Sequence, residues 1–311
     1  MGVKYKFVEP GSLVGARDDT GPRVILAYKP QGMTPFQLVE VVKRQILRQA
    51  QDDPSTPSVK LRTGSLGAGN GQKIGYAGRL DPMARGLMVL LVGEENKKRK
   101  EYERILKTYE FEVLFGVATD SYDVLGVVKT LEPNWIPHQV RDDPSAPSIK
   151  LRTGSLRASI RHYLRDMVRN FEQPYPPFSS PIVNGKPLFW WAREGRLNEI
   201  KLPSKKVSVS SAKLLGVRTI SGKDLFANIK TRVGLVEGDF RQELILSSWE
   251  DFFEYKMQDK FLIAKIKIEC SSGTYVRSIA NDMGNKLGCG AIALKIVRTR
   301  VGEWGISSLL S

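Results

Sequence analysis

The chain has 311 residues, with 48 Lys or Arg against 33 Asp or Glu, a net charge of +15. That length can bury a large core as one elaborated domain or as two lobes, and the charge leaves open both a polyanionic partner and a merely soluble basic protein. Two cysteines, two histidines and no N-terminal apolar segment of the signal-peptide kind exclude a disulfide scaffold. They also make a zinc site or a histidine-based triad hard to assemble, and they set a reduced, cytoplasmic protein as the expectation.

Residues 1–22 carry glycines and mixed charge without periodicity, which predicts a loose tail, and Val24–Tyr28 then reads as a strand. Thr34-Pro35-Phe36-Gln37 is a capping-box pattern with proline at the first helical position. It predicts a helix start there, with Phe36, Val39, Val42 and Ile46 as the apolar face. An internal repeat follows: Asp52-Asp53-Pro54-Ser55 through Leu66 recurs almost letter for letter from Asp142-Asp143-Pro144-Ser145 through Leu156. The repeat has neither helical nor strand period and is rich in Pro, Ser and Asp, so inserted loops are expected at about 48–73 and 135–157. Basic loops touching RNA through Lys60, Arg62, Lys150 and Arg152 are the other reading.

Between the two copies, Gly75, Gly78, Asp81, Pro82 and Gly86 lie together just before the apolar run Leu87–Val92, which is short enough for a buried strand. Pro82 has a fixed φ and biases Asp81 away from the helical region, so the carboxylate should sit on an extended, stiff backbone. An ordinary turn with an Asx-type hydrogen bond fits the same residues. Lys97 to Leu106 then reads as helical, and Lys97 to Lys100 suit a solvated face. Tyr109, Phe111, Val113, Phe115 and Val117 alternate as a half-buried strand.

Ile160, Tyr163, Leu164, Met167, Val168 and Phe171 follow helical spacing, with Arg157, Arg161, Arg165 and Arg169 on the other face. Such a row suits a solvated face or a phosphate track. Gln173 to Pro187 reads as an ordered, Pro-rich loop leading to a short helix with Phe189, Trp190, Trp191 and Arg193. Aromatics there can stack on bases or form a local core. A strand is expected from Val207, then an insertion without a motif at about 218–258, then a strand from Leu262 to Cys270. Thr274 is placed to cap a helix whose Val276, Ile279, Met283 and Leu287 face inward. Arg277 falls in that helix's first turn, where a cation opposes the helix dipole unless an acid compensates.

Gly78-Arg79-Leu80-Asp81-Pro82-Met83-Ala84-Arg85-Gly86-Leu87 resembles the catalytic loop of the TruB-type tRNA pseudouridine-55 synthases. The usual form of that loop is Gly-His-x-Gly-Thr-Leu-Asp-Pro-x-Ala-x-Gly. Further blocks resemble the family in the same order: Lys107-Thr108-Tyr109, Thr119-Asp120-Ser121-Tyr122-Asp123, Val183-Asn184-Gly185-Lys186 and Ser272-Gly273-Thr274-Tyr275-Val276-Arg277-Ser278. The resemblance implies an α+β pseudouridine-synthase fold, a mixed and mainly antiparallel sheet with flanking helices and loop insertions. It implies one catalytic domain over 23–311, and with the sequence ending at Ser311 no full C-terminal RNA-binding domain of the kind many relatives append is expected.

It further implies isomerisation of uridine to pseudouridine in RNA, at uridine 55 of the tRNA T-loop. Asp81 would be the nucleophile or charge stabiliser, Arg277 the cation that keeps it ionised, and Tyr109 the aromatic that stacks on the flipped base. Tyr76, Arg79, Arg85, Lys97 and Arg193 would contact RNA. The reaction breaks and remakes one glycosidic bond without net redox or hydrolysis, so neither a cofactor nor a metal is implied. Tyr76 stands where the family usually has histidine, and Arg79 and Arg85 where it has small or hydroxyl residues. These departures touch the substrate more than the reaction. The alternatives are a synthase acting on another tRNA or ribosomal RNA uridine, or a non-catalytic tRNA-folding chaperone. The Asp81, Tyr109 and Arg277 set favours an enzyme, because a binding module has no use for a nucleophile.

Overall fold

A computed structural model of the chain describes residues 3–6, 13–16, 23–52, 73–129 and 153–309, with side chains described over 24–46, 73–129 and 156–307. Most of both repeat copies, 53–72 and 130–152, lies outside the described residues. The chain divides into two compact units, Met1–Thr108 with Val297–Ser311, and Tyr109–Ile296. The single domain expected over 23–311 is therefore described as two units.

In the first unit, strands β1 (Val3–Lys6), β2 (Leu13–Ala16), β3 (Arg23–Lys29) and β5 (Ala84–Val92) follow one another across an antiparallel sheet, and β4 (Ile74–Ala77) also pairs with β5. The segment expected to be a loose tail thus holds a hairpin, with Val3 opposite Ala16. Backbone pairing makes these strands, which no side-chain period announced. Every residue of β5 except Arg85 is buried, which accounts for a strand sequence that is apolar without alternation.

Helix α1 (Pro35–Asp52) starts where the capping box lies. The Thr34 N–H donates to Gln37 Oε1 at 2.7 Å and the Gln37 N–H to Thr34 Oγ1 at 3.2 Å. Its buried face is Leu38, Val39 and Val42, while Phe36 is 63% exposed, so the apolar stripe is rotated from the one the sequence predicts. Helix α2 (Arg99–Arg104) follows a short 3-10 turn over Gly93–Lys98.

In the second unit, β6 (Lys107–Phe115, from Tyr109 on) neighbours β13 (Lys260–Cys270), which pairs with β12 (Ser204–Ser221), which pairs with β9 (Asn170–Pro174). Hairpin β7 (Ala118–Thr119) and β8 (Val128–Lys129) carries a tight loop, and the Asn184-Gly185 turn, at φ +48° and +77°, joins β10 (Ile182–Val183) to β11 (Lys186–Pro187). Positive φ at both turn residues is what an Asn-Gly hairpin supplies. Strand β14 (Ala291–Val301) runs from this unit into the first, and β15 (Trp304–Gly305) pairs with its end.

Helix α3 (Thr153–Asp166) buries Ile160, Tyr163 and Leu164 but stops before Phe171, because residues from Asn170 on pair with β12 instead. It starts at Thr153, so the last residues expected in the second inserted loop are helical. The expected insertion at 218–258 begins with the end of β12 and continues as α5 (Gly222–Gly234) and α6 (Gln242–Phe253), which close on a cluster of Phe226, Trp249, Phe252, Phe253 and Phe261. Helix α4 (Leu188–Arg193) follows β11, and α7 (Val276–Lys286) follows β13. Thr274 does not cap α7: its hydroxyl donates to the Ser271 carbonyl at 2.9 Å, and Tyr275, whose side chain makes no capping bond to the helix, is the N-cap.

The class is α+β, a mixed and mainly antiparallel sheet with flanking helices. Every strand pairing whose register is described is antiparallel, and an isolated bridge between Asp123 and Ala293 is parallel. No helix among the described residues is long and apolar enough to cross a membrane.

Candidate active site

Asp81 sits between β4 and β5 in the first unit, on a loop with three backbone constraints. Gly78 has φ +79°, a left-handed conformation that suits glycine. The Ala84 N–H donates to the Asp81 carbonyl at 3.0 Å, so Asp81 opens a β-turn with Pro82 in its second position, where a fixed φ is favourable. Gly86 has φ +120°, and a Cβ there would run into the backbone of Arg298. The motif's two flanking glycines and its proline are therefore demands of backbone geometry. Asp81 itself is half-buried, while Leu80 and Met83 on either side are buried and anchor the turn.

Two buried cations grip this loop, and neither was singled out in the sequence. The Arg298 guanidinium, 1% exposed, donates from Nε to the Leu87 carbonyl at 2.7 Å, from Nη1 to the Arg79 carbonyl at 3.2 Å and from Nη2 to the Gly78 carbonyl at 3.3 Å. Lys29 is fully buried and donates to the carbonyls of Met33 at 2.5 Å, Pro30 at 3.0 Å and Pro82 at 3.5 Å. Burial pushes the Lys29 ammonium down to about 7, the Asp81 carboxylate raises it, and Arg298 lowers it. A signal for both cations was present. Lys29 continues the buried alternation Ile25, Ala27, and Arg298 continues Ile292, Leu294, Ile296, so each puts a charge on the inward parity of a strand.

The remaining candidates of this unit lie around the loop. Tyr76 is half-buried in β4, with the Arg99 guanidinium 5.5 Å from its ring centroid. Arg79 is exposed. Arg85 is half-buried, and its Nε has no hydrogen-bond partner among the described residues. Lys97 is exposed and paired with Glu94.

In the second unit, Tyr109 is 8% exposed on β6. Arg277, 3% exposed on the first turn of α7, donates to the Ser121 carbonyl at 2.7 Å and to the Phe178 carbonyl at 3.1 Å, and its Nε lies 3.6 Å from Asp123 Oδ2. Asp123 is the acid that compensates this cation at a helix N-terminus. Its other oxygen accepts from the Ser121 hydroxyl at 2.6 Å and the Leu125 N–H at 3.0 Å. The Arg277 guanidinium also stands 5.9 Å from the Tyr275 ring centroid. Gln173 fixes Tyr275, accepting its N–H at 2.7 Å and donating to its carbonyl at 3.1 Å. Tyr122, at φ +66°, has its phenol pushed up by burial and drawn back by Arg277. Arg193, expected to meet RNA, is bonded to Asp239 at 2.6 Å. Asp123, Ser121 and Gln173 were not assigned roles from sequence, because several of the contacts here are made to backbone groups, which leave no mark on residue type. Among the described residues, no three His, Cys, Asp or Glu side chains are grouped as a metal would need.

The first unit thus holds a carboxylate on a stiffened turn, and the second a buried, multiply held arginine. The family model "TruB family pseudouridylate synthase (N terminal domain)" matches residues 68–238. The chain belongs to that family. It is similar to the tRNA pseudouridine synthase B of Aromatoleum aromaticum, 27% identical over 93% of this chain and 66% of the relative. It is 26% identical to that of Bacteroides thetaiotaomicron over 90% of this chain and 85% of the relative. With that of Protochlamydia amoebophila it shares 30% identity over 93% of this chain and 77% of the relative. The chain thus spans just under two thirds of the first relative's length and more of the other two. A solved Cbf5-Nop10-Gar1 complex aligns with 91% of this chain at 15% identity and a TM-score of 0.46, too slight a likeness to add to the family match.

Proposed function

We propose that this protein isomerises uridine to pseudouridine in tRNA, at uridine 55 of the T-loop. The observation that carries the reading is the Asp81 turn: a single carboxylate presented by glycines, a proline and two buried cations, in a chain of the pseudouridylate synthase family. In the reaction the bond from C1′ to N1 breaks, the uracil turns, and C1′ joins C5. The C5 proton leaves and N1 regains one, so atoms and charge balance without a cofactor or metal.

Asp81 acts as the nucleophile or charge stabiliser, a role open to a carboxylate. Arg277 is proposed as the fixed cation of the reaction, and Tyr109 as the aromatic for the flipped base. The target base must leave its stack, at a general cost of a few kcal/mol. Basic and aromatic side chains offset that cost, with Tyr76, Arg79, Arg85, Lys97 and Arg193 proposed among the RNA contacts and phosphate pairing making the binding salt-dependent. A cytoplasmic location fits a protein with only two cysteines, both buried.

The test is Asp81→Asn, nearly isosteric but poor as a nucleophile, in a tritium-release or mass-spectrometric assay on T-loop RNA beside a binding titration at fixed salt. Pseudouridine formation should vanish while tRNA affinity changes little. Wild-type yield from the Asn variant removes Asp81 from the chemistry. Product at another uridine moves the target and keeps the reaction, and no product from the wild type on any RNA favours a folding chaperone.

A further inference from the structure

The helices α5 and α6, which fill the region expected to be an insertion, are packed against the network that holds Arg277. Trp249 on α6 donates from Nε1 to the Val124 carbonyl at 3.3 Å, and Ser248 Oγ accepts the Val128 N–H at 3.1 Å. Both acceptor and donor belong to the β7–β8 hairpin that contains Ser121 and Asp123. Arg241, the residue before α6, makes a third and more directed link. Its Nη1 donates to Asp120 Oδ2 at 2.8 Å and its Nη2 to Asp120 Oδ1 at 3.3 Å, a two-point pairing with both side chains about four-fifths buried. The same guanidinium lies 4.1 Å from the centroid of the Phe178 ring.

Those two contacts coincide with the two carbonyls that Arg277 uses. Ser121, next to Asp120, supplies one acceptor, and Phe178 supplies the other. The two segments are far apart in sequence, and the Arg241 guanidinium touches both. Arg241 is also one of three non-glycine residues with positive φ, at +63°, among the described residues. Such a conformation is sparsely populated by L residues and persists where surrounding contacts over-determine it. Asp120 is itself tied down: its Oδ1 accepts the Val127 N–H at 2.9 Å, and its own N–H donates to the Val127 carbonyl at 3.0 Å. Gly126 leaves the room this needs, since a Cβ there would strike Asp120, Ser121 and Thr119.

We propose that Arg241 is a positioning residue for Arg277, and that α5–α6 serves the reaction by carrying it. Arg241 spaces the Ser121 and Phe178 carbonyls so that the Arg277 guanidinium has one orientation. This rests on the reading that Arg277 acts in uridine isomerisation. It makes Arg241 a residue that affects the chemical step through another residue and not through RNA. A basic side chain in a nucleic-acid enzyme is usually assigned to phosphate, but this one is already committed on both its edge and its face.

Two variants approach the link from opposite sides. Arg241→Asn keeps a residue that tolerates positive φ and removes the guanidinium. Asp120→Asn keeps an oxygen for the Val127 N–H and weakens only the pair. Arg241→Lys restores the charge without the planar two-point geometry. In single-turnover assays on tRNA, Arg241→Asn and Asp120→Asn should each slow product formation about ten- to a hundredfold, as small misplacements of catalytic groups do. The dissociation constant for tRNA should stay within about twofold, and Arg241→Lys should recover only part of the rate. Hydrogen exchange, which needs no activity, should show faster exchange at the Val127 and Asp120 amides in both Asn variants.

A rate equal to wild type in both variants overturns the proposal, as does weaker tRNA binding at an unchanged rate, which would make Arg241 an RNA contact. Unaltered exchange at those amides overturns it too. If the wild type makes no pseudouridine on any RNA, the functional reading fails by itself, and the exchange data still decide whether Arg241 orders the segment.

Discussion

The surroundings of Asp81 and of Arg277 are built in opposite ways. Asp81 owes its placement to a short continuous stretch, in which Gly78 and Gly86 take positive φ and Pro82 stiffens the turn, and Lys29 and Arg298 then bond the resulting carbonyls. Arg277 is placed by side chains and carbonyls from residues 121, 123 and 178, brought together from separate parts of the sequence. Backbone demands leave a mark on residue type, because positive φ favours glycine and a turn's second position favours proline. A carbonyl acceptor leaves none, since every residue has one. The first kind of site is therefore written as a motif, and the second is nearly silent apart from the arginine itself.

The sharpest way to break this comparison is at Asp123. It is 4% exposed, and truncation to Ala would remove the carboxylate 3.6 Å from the buried Arg277 guanidinium. Breaking a buried pair from one side costs about 3–5 kcal/mol. We expect that loss in denaturant unfolding, with pseudouridine formation falling as well. Unchanged stability would show that Asp123 is not needed to hold Arg277.

The matching test on the other side is Gly86→Ala. An L residue at φ +120° is strained by about 1–3 kcal/mol, and the new Cβ meets the Arg298 backbone, where overpacking costs about 1–3 kcal/mol more. The expected outcome is a lower melting temperature together with lost activity. A neutral substitution would mean that the loop is adjustable and that its glycine is not a backbone demand.

The gentlest test concerns Lys29 and pH. Its ammonium is lowered from 10.5 to about 7 in the folded protein, chiefly by burial, so between those values the unfolded chain binds a proton that the folded one does not. Stability should therefore rise with pH across about 7 to 10.5, with a slope from this group of at most ~1.4 kcal/mol per pH unit, and show no slope from it below about 7. Lys29→Met should flatten that rise in urea titrations at several pH values. A slope identical to wild type would show that Lys29 keeps its ordinary ionisation despite its burial.

Much of the framework was legible before any coordinates. Strand β3, the capping box of α1, strand β13 and the apolar face of α7 follow from period and cap chemistry, because such signals report local geometry. The misses share a cause. The β1–β2 hairpin forms by backbone pairing, Phe36 faces solvent because the helix docks through Leu38 instead, and the Thr274 hydroxyl turned to Ser271 in place of the helix. Lys29 and Arg298 were visible as charges on buried parity, but charge on a strand is ordinarily read as an outward face.

By itself, then, the sequence determined the Asp81 turn, the class of the fold and the family's ordered blocks, since each depends on residues that are neighbours in the chain. Only the tertiary structure decided that Arg298 and Lys29 close on that turn, that Asp123 balances Arg277, and that α5–α6 brings Arg241 to Asp120 and Phe178. Those contacts join residues as much as about 220 positions apart, and their partners are buried backbone oxygens and single carboxylates. Which of many chemically equivalent acceptors a buried cation meets is set by how strands and helices pack, not by any pattern along the chain.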